Sequence, residues 1–296
     1  MKNKQSHVIS IFQALLVTFL WSTSFIIIKW GLVEIPPITF AGLRYSLAFL
    51  CFLPFMFLKK NYVTEVKNLT FSQWKKLILL GFIFYTFTQG AQFLGLSLLP
   101  SVTVSLMLNF TPIIVAVMGI FLLNEKPTSL QWIGSLLFIV GILTYFFPVT
   151  LLENEMLGLG IMFVGILANA GAAILGRNIN RTKDISPFVI TFISMGVGAI
   201  ILLLVGLSLN EFPNISFTNW LYLIWLAAIN TAFAFTLWNL TLQNLTAMES
   251  SIINGTMLIQ IAILAWIFLG ETITLQEGAG MLIAAIGALF VQLKRN

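Results

Sequence analysis

The sequence predicts an all-α integral membrane protein of ten transmembrane helices, built as a 5+5 inverted-topology repeat around a central cavity. Three observations predict it. First, the chain of 296 residues is 59% hydrophobic and only 8% charged, where a soluble domain carries about 25% charged residues. So few charges cannot cover a water-facing surface, and lipid must solvate most of it. Second, the apolar runs are continuous, as over 136–147 and 200–207. They lack the alternation of polar and apolar residues that a membrane β-barrel requires. Third, a pattern near mid-chain recurs near the C-terminus.

A helix crossing the hydrocarbon core needs about 20 apolar residues. Helices are expected at 9–30, 38–58, 75–98, 101–123, 129–148, 157–178, 187–208, 217–243, 246–269 and 275–293. The breaks between them carry turn chemistry: Pro36-Pro37, Pro100, Asn124-Glu125-Lys126-Pro127, Glu153-Asn154-Glu155, Arg181-Thr182-Lys183-Asp184 and Glu211 with Pro213-Asn214. The first run follows Lys2 and Lys4, as in a signal peptide. It is long, however, and Trp30-Gly31-Leu32 stands where a small-residue cleavage site would be, so it is expected to be a retained helix.

Basic residues favour the cytoplasmic side. With the N-terminus inside and the spans alternating, Lys2, Lys4, Lys59, Lys60, Lys67, Lys75, Lys76, Lys126, Arg177, Arg181, Lys183, Lys294 and Arg295 all fall inside or at inner helix ends. Lys29 and Arg44 remain elsewhere, and Glu34, Glu153, Glu155, Glu211, Glu271 and Glu277 fall outside. This predicts a multi-pass protein of the cell (plasma) membrane with both termini cytoplasmic. It also makes the net charge of +5 a topology signal, with no nucleic-acid partner implied.

The recurring pattern pairs Phe121-Leu122-Leu123-Asn124-Glu125 with Ile267-Phe268-Leu269-Gly270-Glu271. At the same offset Thr128 meets Thr274, Gly134 meets Gly280 and Gly141 meets Gly287. The repeat unit is about half the chain, 1–150 and 151–296, with five spans in each. Five is odd, so the second half enters the membrane from the opposite side. Each glycine pair lies on one helix face and predicts close helix approach.

Three stretches carry a family likeness: Trp21-Ser22-Thr23-Ser24-Phe25 followed by Lys29; Leu123-Asn124-Glu125-Lys126-Pro127-Thr128 with Gln131-Trp132-Ile133-Gly134; and Leu269-Gly270-Glu271 with Gly280. In these the chain resembles the EamA-type transporters of the drug/metabolite transporter (DMT) superfamily along its whole length. The resemblance implies a ten-helix fold, a central substrate cavity, alternating access, and export of small metabolites, including amino acids, or of drugs. It also implies that helices 5 and 10 pack, while helices 1, 3, 4, 6, 8 and 9 line the cavity.

Polar residues recurring on one face of an apolar helix mark candidate cavity positions, because a polar group in hydrocarbon requires a partner or water. These are Trp21 and Ser24 on helix 1; Tyr85, Gln89 and Gln92 on helix 3; Ser101, Ser105 and Asn109 on helix 4; Asn169 on helix 6; Asn230 and Trp238 on helix 8; and Ser250 and Asn254 on helix 9. Each can instead hydrogen-bond between packed helices, for about 0.6–2 kcal/mol. Pro112 is expected mid-helix, as a hinge or a kink. Lys29, Arg44 and Glu249 are candidates for coupling or gating. Lys29 and Arg44 have stems long enough to snorkel, and Arg44 can pair with Glu34 or face the cavity. Glu249 is expected in a helix 8–9 turn, and Glu125 and Glu271 are expected to organise the turns after them.

The leading function is a secondary-active or facilitative carrier whose partners are a small-molecule substrate and the lipid. There is no Gly-x-x-x-x-Gly-Lys-Ser/Thr run for ATP to drive it. An intramembrane enzyme needs a nucleophile with a base, paired carboxylates or a metal cluster. This chain has one His, His7 in the N-terminal tail, and one Cys, Cys51 in an apolar run, so no catalytic, metal or cofactor site is expected. A non-transporting subunit of a membrane complex would need neither polar stripes nor an inverted repeat.

Overall fold

The computed structural model describes residues 2–58, 60–123, 128–147, 153–182, 184–241, 245 and 253–292. Every regular element among them is helical. Seven helices are long and apolar enough to span: α1 (His7–Gly31), α2 (Pro37–Leu58), α3 (Phe71–Leu98), α5 (Ser129–Phe146), α6 (Glu153–Asn180), α7 (Pro187–Leu209) and α8 (Phe217–Trp238). Three shorter apolar helices, α4 (Ser101–Val115), α9 (Ile253–Leu269) and α10 (Leu275–Phe290), bring the set to the ten that the sequence predicts.

Local chemistry moves some boundaries. α3 starts at Phe71, earlier than expected, because Thr70 and Gln73 form a capping box there. The sequence between α2 and α3, expected as a loop, contains a short helix, Lys60–Lys67. The fourth helix is not continuous through 101–123. It stops at Leu108, turns at Asn109-Phe110 and resumes at Thr111. Pro112 is the cause, since proline lacks an N–H and its ring clashes with the carbonyl four residues back.

The chain forms two compact units, each drawing on both halves of the sequence. The first comprises Met1–Ile26, Leu98–Gly160 and Phe233–Asn296. Its centre is a seam between α5 and α10. A methyl group on Gly280 would lie 2.6 Å from Tyr145 N and 2.7 Å from Gly141 O. One on Gly287 would lie 2.6 Å from Gly134 O. The four glycines expected to allow close approach therefore put the two helix backbones in contact. Gly134 meets Gly287 and Gly141 meets Gly280, so residue number falls on α10 as it rises on α5: the helices are antiparallel. The repeat offset also carries the first contact onto the second. That is the signature of a two-fold axis lying across the helices, and it shows the repeat to be inverted. Both helices open on equivalent capping boxes, Thr128 with Gln131 and Thr274 with Glu277.

The second unit comprises Ile27–Ser97 and Ile161–Ala232. Here α2 and α7 are antiparallel: a methyl group on Gly42 would meet Leu203 N at 2.6 Å, and one on Gly206 would meet Thr39 N at 2.7 Å. The unit has its own apolar core, including Leu77, Leu80, Ala172, Val189 and Ile193. Two of its helices carry a π-helical stretch, Gly81–Gln89 in α3 and Ala228–Phe233 in α8. They lie at corresponding places in the two repeats, since α3 begins at Phe71 and α8 at Phe217, the same offset that relates Glu125 to Glu271.

Acids of this unit serve helix starts. Glu34, in the turn after α1, accepts from Ser216 N at 3.0 Å, at the N-cap of α8. Glu65 accepts from Ser186 N, at the N-cap of α7. The Ser216 backbone donor, with the Asn219 and Ser216 side chains, holds the Glu34 carboxyl below the usual carboxylate range. A lowered folded value means that the contact stabilises fully above the unfolded pKa of about 4.3 and is lost as pH falls through the folded value. Acid melting of wild type and Glu34→Gln is therefore expected to show a gap near neutral pH that closes as the medium becomes strongly acidic. A gap independent of pH would refute this role.

Candidate functional site

In the second unit the polar groups of the membrane-spanning helices collect around the two π stretches. A π turn bonds to the residue five back rather than four, and both stretches use this with a threonine. Thr88 Oγ1 donates to Ile83 O at 3.2 Å, and Thr231 Oγ1 donates to Leu226 O at 2.8 Å. Such π stretches occur often at functional sites.

α2 brings two adjacent residues to them. Arg44, about two turns into its helix, is 5% exposed. Its Nε donates to Thr231 Oγ1 at 3.1 Å. The guanidinium lies 5.4 Å from the Tyr45 ring centre and 6.0 Å from that of Phe93. Tyr45 donates its hydroxyl to Gln89 Oε1 at 2.6 Å, and its ring meets Tyr85 edge-on at 5.4 Å. Asn230 and Thr231 are fully buried. Thus Tyr85, Gln89 and Arg44 are brought together through Tyr45, Asn230 is buried next to Thr231 in the chain, and Gln92 is half-buried one turn further along α3. Two expectations for Arg44 are corrected. Its stem does not snorkel, because the side chain is buried and held by Thr231. It does not pair with Glu34, whose carboxylate is held at the start of α8. A charge at the bilayer centre costs at least about 2.5–3.5 kcal/mol, so this burial is a feature to be explained.

The first unit holds a separate group. Trp21 packs against Phe235 and Trp238, each at 5.3 Å between ring centres. The next residue is Ser22, whose Oγ donates to Gln260 Oε1 at 3.0 Å, and Gln260 Nε2 donates to Thr256 Oγ1 at 2.9 Å and Thr18 Oγ1 at 3.3 Å. Ser24 and Ser105 are buried, Ser24 bonding back to Leu20 O, and Asn109 Nδ2 donates to Ser105 O at 2.9 Å. Asn169, in the second unit, and Lys29, in the last turn of α1, are half-buried. Asn254 is exposed. Glu125, Glu249 and Ser250 lie outside the described residues.

Glu271 does not organise the turn after α9, as expected. Its carboxylate accepts from Ser101 N at 2.8 Å and Val102 N at 3.3 Å, at the start of α4. The turn after it is instead shaped by Gly270, at φ 68°, and by the Thr274–Glu277 box. An apolar groove of about 620 Å³, lined by Leu258, Ala262, Trp266, Met281 and Ala285 among others, lies between α9 and α10. Several of its residues, Trp266 and Leu282 among them, are on the exposed surface, and none of the candidate polar residues borders it.

Sequence reasoning missed Tyr45, Thr231 and Gln260. Gln260 was detectable as the lone amide in the apolar stretch Met257–Leu269. Tyr45 and Thr231 stand beside Arg44 and Asn230, but their partnership depends on the π register, which leaves no periodic trace.

Ten apolar helices, an inverted repeat and polar groups bonded inside the spans define a multi-pass membrane transporter fold. The EamA-like transporter family matches the chain over residues 8–147 and again over 151–293, with five of the apolar helices in each match. The chain belongs to that family, a family of transporters and not of enzymes. It is 22% identical over 277 residues to a Bacillus subtilis (strain 168) protein named "Uncharacterized transporter YdfC", a match that spans 94% of this chain and 89% of that one. Over 162 residues it is 28% identical to a Salmonella typhimurium protein named "Probable amino-acid metabolite efflux pump", spanning 55% of this chain and 49% of that one. A crystal structure covering 95% of this chain and 96% of its own superposes with a TM-score of 0.68 at 14% identity, a likeness of fold.

Proposed function

We propose that the chain moves small metabolites, amino-acid-like or amphipathic, out of the cell by alternating access, as a secondary-active or facilitative carrier. The observation that carries the reading is the concentration of buried polar groups at the paired π stretches of α3 and α8. Groups that are costly in lipid recur where the two repeats correspond. The half-chains 1–150 and 151–296 then act as the two exchanging repeats. The relative named as an efflux pump supports the outward direction, and the basic residues support cytoplasmic termini in the plasma membrane. Trp21, Ser24, Ser105, Asn109, Asn169, Trp238 and Asn254 are the further positions assigned to the substrate path, with Lys29 and Glu249 in gating or coupling.

Single cysteines at Tyr85, Gln89 and Gln92, probed from each side of inverted and right-side-out vesicles in a Cys51→Ala background, test the reading. A carrier exposes these positions to a water-soluble thiol reagent in at least one state. Positions that stay dry from both sides, in a protein that also moves no solute in proteoliposomes, would leave a scaffold role instead.

A further inference from the structure

Arg44 is a permanent charge, since a guanidinium does not deprotonate in proteins. Burying it without a counter-charge is costly. Among the described residues no carboxylate lies within ion-pair distance of it. Glu34, Glu65, Glu271 and Glu277 are each engaged at a helix start. Glu153 and Glu155 lie in the first turn of α6, and Asp184 and Glu211 lie between helices.

The contacts that Arg44 makes use its Nε and the faces of its guanidinium. Tyr45 and Phe93 present ring faces, and Nε is taken by Thr231 Oγ1. Thr231 gives its own proton to Leu226 O, so its oxygen is fixed as an acceptor and holds the guanidinium in one orientation. The Nη donors remain, in the planar fork that a carboxylate oxygen pair fits bidentately. The buried Asn230 and Tyr45 and the half-buried Gln89 stand in the same unit.

We propose that Arg44 is the residue that recognises a carboxylate on the transported solute, which supplies the counter-ion that none of the described carboxylates provides. The proposal rests on the transport reading and narrows its substrate class to small monocarboxylates, amino acids among them.

The test uses matched probes that differ in the carboxylate: L-phenylalanine, hydrocinnamate and phenethylamine; L-leucine and isoamylamine. Thermal shift of the purified full chain measures binding, and proteoliposome flux measures movement. The carboxylates are expected to stabilise the wild type and the amines not. Arg44→Gln is expected to weaken the carboxylate response on the order of tenfold or more, and Arg44→Lys to retain part of the preference. A merely structural arginine would lower the melting temperature of each variant without changing the ratio between matched probes. If Arg44→Gln does not fold, Thr231→Val keeps the charge and removes its orienting contact, and an unchanged carboxylate preference in that variant overturns the proposal. Movement of amines as readily as carboxylates overturns it while transport itself stands. No movement of any probe under any gradient overturns both.

Discussion

Gly141→Val will separate α5 from α10 and destabilise the protein by roughly 3 kcal/mol or more, the upper range for forcing added volume into a packed core. The obstacle is main chain. A side chain there would meet Ala284 Cα at 2.8 Å and Gly280 O at 2.6 Å, and backbone atoms cannot swing aside as a flexible side chain can. Gly280→Val should behave alike, because Gly280 is the other side of the same contact. The double variant should lose less than the sum of the two, since both break one seam. Gly160→Val is the control: it lies in the same compact unit, on an exposed helix face with nothing within 4 Å of an added carbon. Melting temperature and the monodisperse fraction in detergent measure the effect. A Gly141→Val protein as stable as Gly160→Val would mean that the seam does not hold the unit together.

The second large effect is expected at Glu271. α4 opens after Pro100, which provides no side-chain cap. Its first donors, Ser101 N and Val102 N, belong to residues at most 2% exposed. Glu271 satisfies both from a distant part of the chain. Hydrogen bonds to a charged group contribute about 1.5–3 kcal/mol, and a buried donor left bare costs its full desolvation. Glu271→Ala is therefore expected to lose about 2–3 kcal/mol. Glu271→Gln keeps an acceptor oxygen but not the charge that favours a helix N-terminus, and should lose less. The expected order of melting temperature is wild type, Glu271→Gln, Glu271→Ala. A glutamine variant no better than alanine would argue against the cap.

The fold was legible because its determinants are local. Span length follows from runs of apolar residues, and the inverted repeat follows from Glu, Thr and Gly recurring at one offset. The same glycines that revealed the repeat turn out to be its contact points, so one signal served twice. The candidate site was half legible. Tyr85, Gln89, Asn230 and Arg44 stand out as polar residues in apolar helices, and Tyr85, Gln89 and Arg44 meet through Tyr45. Their partners do not stand out, because the π stretches shift helix register and Thr231 looks like any threonine. The role of Glu271 was misread because its partners lie 170 and 169 residues away in sequence. The sequence shows that an acid follows a helix, not which helix start its carboxylate will reach.

The α5–α10 seam also sets an order of assembly. α5 leaves the ribosome well before α10, with four further apolar helices made between them. At about 5–20 residues per second, the glycine face of α5 waits on the order of ten seconds for its partner. During that time lipid must cover a groove of bare backbone that matches the main chain of a helix not yet made. The closing contact of this unit thus waits on the synthesis of α10, and a chain cut short before α10 would carry that open groove into the membrane as a ready attachment point for quality control.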